Sequence, residues 1–181
     1  GPGRYRGGLG YDKHIRVLRD CHFMSIADRS VLACWGVNGG QAGRPFSVVI
    51  DPGGPNERVV DALADAEPVR AGEIIRIRTT GGGGWGDPLD RPYAEVLRDV
   101  AWGKVSVAGA WDDYGVRIVA RGDGEGHAGG DGGGYAVDEE ASDAERARRR
   151  AVRPPVRPFF DRGPGFATLS GGTPHAKVDL V

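Results

Sequence analysis

Five glycines stand within the six residues "GGGGWG", Gly81 to Gly86, directly after the strand-like run "EIIRIR". Bare backbone at the end of a strand can do two things. It can turn its N–H groups on a phosphate, or it can let another chain segment pass too close for any side chain. A phosphate loop needs a Lys-Ser/Thr pair and a helix opening at once behind it. Here Asp87-Pro88 follows instead. The residues therefore favour a closely packed or left-handed path for Gly81, Gly82, Gly83 and Gly84, pinned by Trp85. Other chemistry is sparse. His14 and His22 are eight residues apart, and His127 and His175 are far from both. No H-x-x-x-H, C-x-x-C or G-x-S-x-G occurs, so neither a zinc site nor a serine nucleophile is written locally. Cys21 and Cys34 carry no thiol-nucleophile signature and are expected as two free thiols.

The composition limits what could position such loops. The 181 residues suffice for one domain with a core and a tail. Gly 32 and Pro 12 keep the chain just below the range where low-complexity disorder is the default. A net charge of -1 argues against nucleic acid, which calls for a basic excess. No apolar run approaches the roughly 18 residues of a membrane span, and "GPGRYRGGLG" has no apolar signal-peptide region. The expectation is a cytoplasmic, glycine-rich α+β protein.

Residues 1–120 read as a β-rich, mainly antiparallel sheet domain with two short helices. "YDKHIRVLRD" and "CHFMSIAD" alternate and are expected to pair around a sharp turn near Asp20. "RPFSVVID" and "PGGPNERVV" read as strand, tight turn, strand. "GEIIRIRTT" puts Ile75 and Ile77 on one face, with Ile74, Arg76 and Arg78 on the other. The period then changes. "DRPYAEVLRDVAWG" is a helix with Asp90 as expected N-cap and Gly103 as stop. "SVAGAWDDYG" is a second, between Ser106 and Gly115. Residues 121–134 are expected as a flexible Gly-rich linker. Residues 135–181 are expected as a tail: a charged, exposed helix, then extended chain anchored by Phe159 and Phe160.

Three stretches in order resemble the hydantoinase B/oxoprolinase family. "GPGRYRGGLG" is similar to its G-x-G-x-x-R-G-G-x-G signature. "DRSVLACWGVNGGQAG" (Asp28–Gly43) is similar to its D-R…W-G…G-G-x-x-G segment. "AGEIIRIRTTGGGGWGDPLDRPYAEVLRDVAWGKVSVAGAWDDYGV" (Ala71–Val116) is similar to its strand, glycine run, G-D-P and paired helices. "FFDRGPGFATLSGG" resembles family C-termini. Thr80 replaces a usual proline and Glu73 a usual G-D.

Family members are much longer, and the resemblance is to their C-terminal portion. It implies a B-type chain acting with an A-type chain that binds and hydrolyses ATP to open a cyclic amide such as a hydantoin or 5-oxoproline. Related complexes carboxylate ketones. An unactivated lactam is a poor electrophile; phosphorylating its amide oxygen makes that oxygen a leaving group, which a metal-held water can then displace. The family's metal-binding carboxylates and histidines belong upstream, so no catalytic or metal residue transfers here. ATP and a divalent metal are expected elsewhere in the complex. Expected partners are the A-type subunit and the N-terminal B-type portion. The resemblance marks Arg4, Arg6, Gly7, Gly8, Asp28, Arg29, Trp35, Gly81, Gly82, Gly83, Gly84, Trp85 and Asp87 as loops where a substrate or partner approaches. The alternative is a non-catalytic structural or assembly domain.

Overall fold

A computed structural model describes residues 1–121, 134–153 and 159–169. Among them the elements run β1 (Asp12–Arg16), β2 (Cys21–Ile26), β3 (Gly36–Val37), β4 (Ser47–Ile50), β5 (Arg58–Val60), β6 (Leu63–Val69), β7 (Ile74–Arg78), a 3-10 turn (Pro88–Asp90), α1 (Tyr93–Ala101) and α2 (Val107–Tyr114). Then come β8 (Arg117–Ala120), β9 (Tyr135–Asp138), α3 (Glu139–Val152), β10 (Phe160–Asp161) and α4 (Pro164–Leu169). The class is α+β, and every named strand pairing is antiparallel.

The first core lies under a four-stranded sheet of order β1-β7-β4-β5. The register sets Ile75 against Ile50 and Ile77 against Val48. Ile75 and Ile77 thus share the inner face, and Ile74, Arg76 and Arg78 take the outer one, as their alternation predicts. A second layer, the β2–β6 ribbon, covers that inner face. Val17, Val48, Ile50, Val60, Val69 and Ile75 form the buried cluster, with Phe23 and Phe46 packed on it. Burying each such side chain is worth about 1.5–3 kcal/mol. Asp51, with φ 55, and Gly53, with φ 77, make the predicted turn between β4 and β5.

The expected pairing of β1 with β2 does not occur. β1 pairs with β7 and β2 with β6. Val17 dives into the core between the layers, and the chain changes sheet there. Asp20 holds that crossing by accepting the Ala71 N–H at 2.9 Å. Alternation fixes which face a strand buries; it says nothing about its neighbour. Strand β6 is absent from the sequence reading because "LADAEPV" has few β-favouring residues and a proline.

The second core belongs to the helical unit. Val96, Val100, Ala110, Tyr114, Val116 and Ile118 are buried together. Gly103 (φ 66) and Gly115 (φ 61) end α1 and α2 in the left-handed conformation, and Ser106 Oγ accepts the Gly109 N–H at 2.9 Å. Asp90 is not the N-cap of α1. The 3-10 turn takes it, Asp87 caps that turn through the Leu89 N–H at 3.0 Å, and Pro92 stands at the α1 N-cap.

Helix α3 is not the exposed helix that its charge suggests. Strand β9 pairs with β8, and α3 buries Ser142, Glu145 and Arg146 against the same unit. Its polar face is satisfied from within the chain. Arg146 donates to the carbonyls of Tyr114 (3.0 Å) and Arg91 (2.8 Å) and lies 4.3 Å over the Tyr93 ring. Glu145 receives Arg148 at 2.7 Å and Arg149 at 2.6 Å, which hold its carboxyl down to about 2. A depressed carboxyl stabilises the fold above its unfolded value and loses that contribution as pH falls toward the folded one. We expect Glu145→Gln to flatten the stability change between pH 5 and pH 2 in thermal melts. An unchanged pH profile in the variant would show that Glu145 does not carry it.

Beyond α3, β10 pairs with β3, and the Phe160 ring packs edge-on against Trp35 at 5.4 Å. Phe160 is thus the anchor expected from the pair; Phe159 contacts it at 4.8 Å. Cys21 and Cys34 are free thiols. The expected linker over 122–133, His127, His175 and the final stretch 170–181 lie outside the described residues.

Candidate functional site

After β7 the chain runs as an extended thread between the N-terminal segment and the 34–43 loop. Backbone groups hold it on both sides. The Gly82 N–H donates to Gly8 O and the Gly84 N–H to Gln41 O, both at 2.9 Å. The Val37 N–H returns to Gly84 O at 2.9 Å. Trp85 and Tyr5 exchange N–H···O bonds in both directions at 2.9 Å. Backbones this close leave no room for side chains. A Cβ added at Gly83 would stand 1.7 Å from Trp35 O, and one at Gly84 would stand 1.9 Å from Pro2 O. The neighbours answer in kind: a Cβ on Gly7 would meet Gly82 O, and one on Gly40 would meet Gly84 O, each at 2.1 Å. None of Gly81 to Gly84 is left-handed; Gly86, with φ 74, is. Steric exclusion, as at the axis of a collagen triple helix, explains Gly83 and Gly84, whereas a Cβ on Gly81 or Gly82 would come no nearer than 3.1 Å to the Gly8 backbone.

A buried ion cluster fastens the N-terminal segment to α1. Asp99, 2% exposed, accepts Arg6 Nε and Arg91 at 2.9 Å each. Arg91, 5% exposed, also reaches Arg4 O at 2.9 Å and Glu95 at 3.1 Å. Its Nε is buried without a hydrogen bond. No sequence motif marks this cluster, although one signal for it is present. Asp99 sits on the apolar stripe of α1, with Val96 and Val100 buried beside it. A carboxylate there needs a cation.

The loop residues marked by resemblance fall into separate places. Arg6, Gly7, Gly8 and Gly81 line an open groove of about 890 Å³. Gly82, Gly83 and Gly84 are part of the threaded packing. Trp85 stacks against Tyr5 at 5.7 Å, and Arg4 lies beside them, its guanidinium 5.8 Å over the Tyr5 ring. Trp35 carries Phe160 and the Arg162 guanidinium at 5.2 Å. Asp28 and Arg29 hold their own loop: Asp28 accepts the Arg29 N–H at 2.6 Å, and Arg29 donates to Ala33 O at 3.3 Å. Asp87 caps the 3-10 turn and pairs with Arg153. The fold therefore gathers the glycines and Arg6, and leaves Asp28 and Arg29 apart from the groove. Inside it, burial and the adjacent Asp112 push the Asp113 carboxyl up, and burial pushes the Tyr114 phenol up to about 12.

Among the described residues no three His, Cys, Asp or Glu side chains gather as a metal site. His14 faces Asp12 at 3.2 Å, and His22 stands opposite Pro68 on another sheet. The donor set does not fit a bound metal. No helix of the described residues is long and apolar enough to cross a membrane.

Known proteins are similar to this chain in sequence and fold. A family model described as Hydantoinase B/oxoprolinase matches residues 1–88. The chain is 37% identical over 123 residues to an uncharacterized protein of Methanocaldococcus jannaschii, covering 68% of this chain and 22% of that one. It is 34% identical over 157 residues to the caprolactamase subunit beta of Pseudomonas jessenii, covering 81% and 24%. The crystal structure of the ATP-dependent caprolactamase from Pseudomonas jessenii superposes with a TM-score of 0.60 at 29% identity, over 81% of this chain and 24% of that one. The chain thus spans roughly a quarter of the length of these relatives.

Proposed function

We propose that this chain, which belongs to the hydantoinase B/oxoprolinase family, is the C-terminal part of a B-type subunit in an ATP-dependent enzyme that opens a cyclic amide. The observation that carries the reading is its likeness to a caprolactamase subunit beta along 81% of its length. Amide resonance makes a lactam a poor electrophile, and ATP supplies the activation by turning the amide oxygen into a leaving group. We assign phosphoryl transfer to an A-type partner chain and water activation to the N-terminal B-type portion, because the described residues offer no metal donor set. This part contributes rigid backbone. Its glycine thread holds the N-terminal segment and the 34–43 loop at contact distance, and Gly7, Gly8 and Gly81 present bare main chain to the groove, where a substrate or partner can approach closely. The assembly works in the cytoplasm, where ATP is supplied.

The test is reconstitution. Combined with an A-type chain and the N-terminal B-type portion, the chain should complete an activity that consumes ATP only when a hydantoin, 5-oxoproline or a larger lactam is present. ATP consumption driven by a ketone and bicarbonate would reassign it to carboxylation. An assembly equally active without this chain would leave the structural-domain alternative. On its own the chain should bind no stoichiometric zinc or manganese and show no ATPase. One tightly held metal per chain by elemental analysis would overturn this assignment and return His14 and His22 as ligands.

A further inference from the structure

Most cations near the cores are answered by acids: Arg58 by Glu67 and Glu73, Arg70 by Asp20, Arg76 by Asp12, Arg6 by Asp99. Arg44, Arg78 and Lys104 are not. All three line the groove beside the glycine loops, and among the described residues none forms an ion pair or a side-chain hydrogen bond. The fold aims them there from three elements. Strand alternation turns Arg78 outward in register with Asp12 and Ser47. Arg44 precedes β4. Lys104 leaves the end of α1 with its ammonium 4.3 Å over Trp102.

Two acids face the same groove. Asp12 already holds Arg76 and His14. Asp113 lies within electrostatic reach of Arg44, and burial and Asp112 push its carboxyl up. Three cations against this one acid leave an excess of about two charges, the charge of a phosphate monoester near neutral pH. The guanidinium fork matches phosphoryl oxygens in pairs, and Ser30 and Ser47 add hydroxyl donors. Gly8 opens the floor: a Cβ there would meet nothing within 4 Å. The volume, about 890 Å³, is that of a small-molecule site, and a chain of net charge -1 lacks the basic excess that nucleic acid calls for.

We propose that this groove binds a phosphorylated small molecule, with Arg44, Arg78 and Lys104 holding the phosphoryl oxygens over the bare backbone of Gly8. The inference deepens the ATP-dependent reading above and rests on it for the origin of the ligand.

The experiment titrates pyrophosphate, inorganic phosphate and acetate into the full chain at low ionic strength, following amide shifts by NMR. Pyrophosphate should bind, with shifts confined to the groove, and acetate should bind at least tenfold more weakly. Arg44→Gln, Arg78→Gln and Lys104→Gln should each weaken pyrophosphate about fivefold or more, as losing a charge-assisted hydrogen bond does, with melting temperatures unchanged. Arg19→Gln, an exposed and unpaired cation outside the groove, should leave affinity unaltered. No pyrophosphate binding in the millimolar range, acetate binding as tightly, or an equal loss in Arg19→Gln would each overturn the proposal. The two readings separate cleanly. A reconstituted assembly that opens a cyclic amide while pyrophosphate fails to bind keeps the enzyme and discards the groove; groove binding without ATP-dependent amide opening does the reverse.

Discussion

Gly83→Ala should destabilise the chain by at least about 3 kcal/mol, beyond the ordinary range of overpacking, and lower the melting temperature by roughly 10 °C. The cause is a single methyl group. Its carbon would stand 1.7 Å from Trp35 O and 2.9 Å from the Gly36 amide nitrogen. Both obstacles are main chain, so no rotamer change relieves them. Relief requires the thread to move away from the 34–43 loop, which breaks the bonds from Gly84 to Gln41 and from Val37 to Gly84. Gly8→Ala is the matched control. It adds the same methyl group to the same glycine network, where space is open, and should cost no more than about 0.5 kcal/mol. The comparison also decides what the run is for. A packing thread loses stability or partner assembly, and any complex that remains keeps its nucleotide affinity. A phosphate cradle keeps its fold and loses ATP binding. Normal stability of Gly83→Ala with weakened ATP binding would be decisive against the thread.

That the glycines serve close approach was legible from what they lack, the Lys-Ser/Thr pair and a following helix. What they approach was not. The carbonyls of Trp35 and Pro2 lie far off in sequence, and nothing local in "TTGGGGWG" encodes them. The sequence also left open a left-handed backbone as the reason for glycine, and of this run Gly86 alone needs it. The same division runs through the fold. Alternation placed Ile75 and Ile77 inside and Arg76 and Arg78 outside, because face is a property of one strand. Pairing is a property of two, and β1 joined β7 instead of β2. Gly103, Ser106 and Gly115 marked helix ends correctly, since a cap is chemistry within one turn. Asp90 misled because Asp87 and Pro88 start a 3-10 turn of their own and consume it. Helix α3 looked solvated because its arginines count as polar in any periodicity. Arg146 is nonetheless buried, its charge met by two carbonyls and an aromatic face.

Asp99→Leu should cost about 3–5 kcal/mol, as removing one partner of a buried ion pair does. Asp99 is the shared anion of Arg6 and Arg91, and both contacts at 2.9 Å disappear together. Arg91 then stays nearly enclosed with a half-exposed Glu95 as its remaining acid and a second nitrogen, after Nε, short of a partner. Asp99→Asn keeps the shape and one acceptor and should cost less, about 1–3 kcal/mol. Because the pair is shielded from solvent, half-molar salt should change these losses little, in contrast to the exposed Arg70–Asp20 pair. A double-mutant cycle with Arg91→Met tests the assignment, and the two changes should couple by at least about 1 kcal/mol. Strict additivity would mean that Asp99 acts through packing alone. The loss should also appear at a distance. Arg91 holds Arg4 O, and Arg4 and Tyr5 donate their N–H groups to Gly86 and Trp85. Freed of Asp99, the N-terminal segment should therefore exchange its Arg4 and Tyr5 amide protons faster, while those of the β4–β7 ladder keep their protection. Equal loosening of both regions would instead mark Asp99 as a determinant of global stability, with no special hold on the strand that threads the glycines.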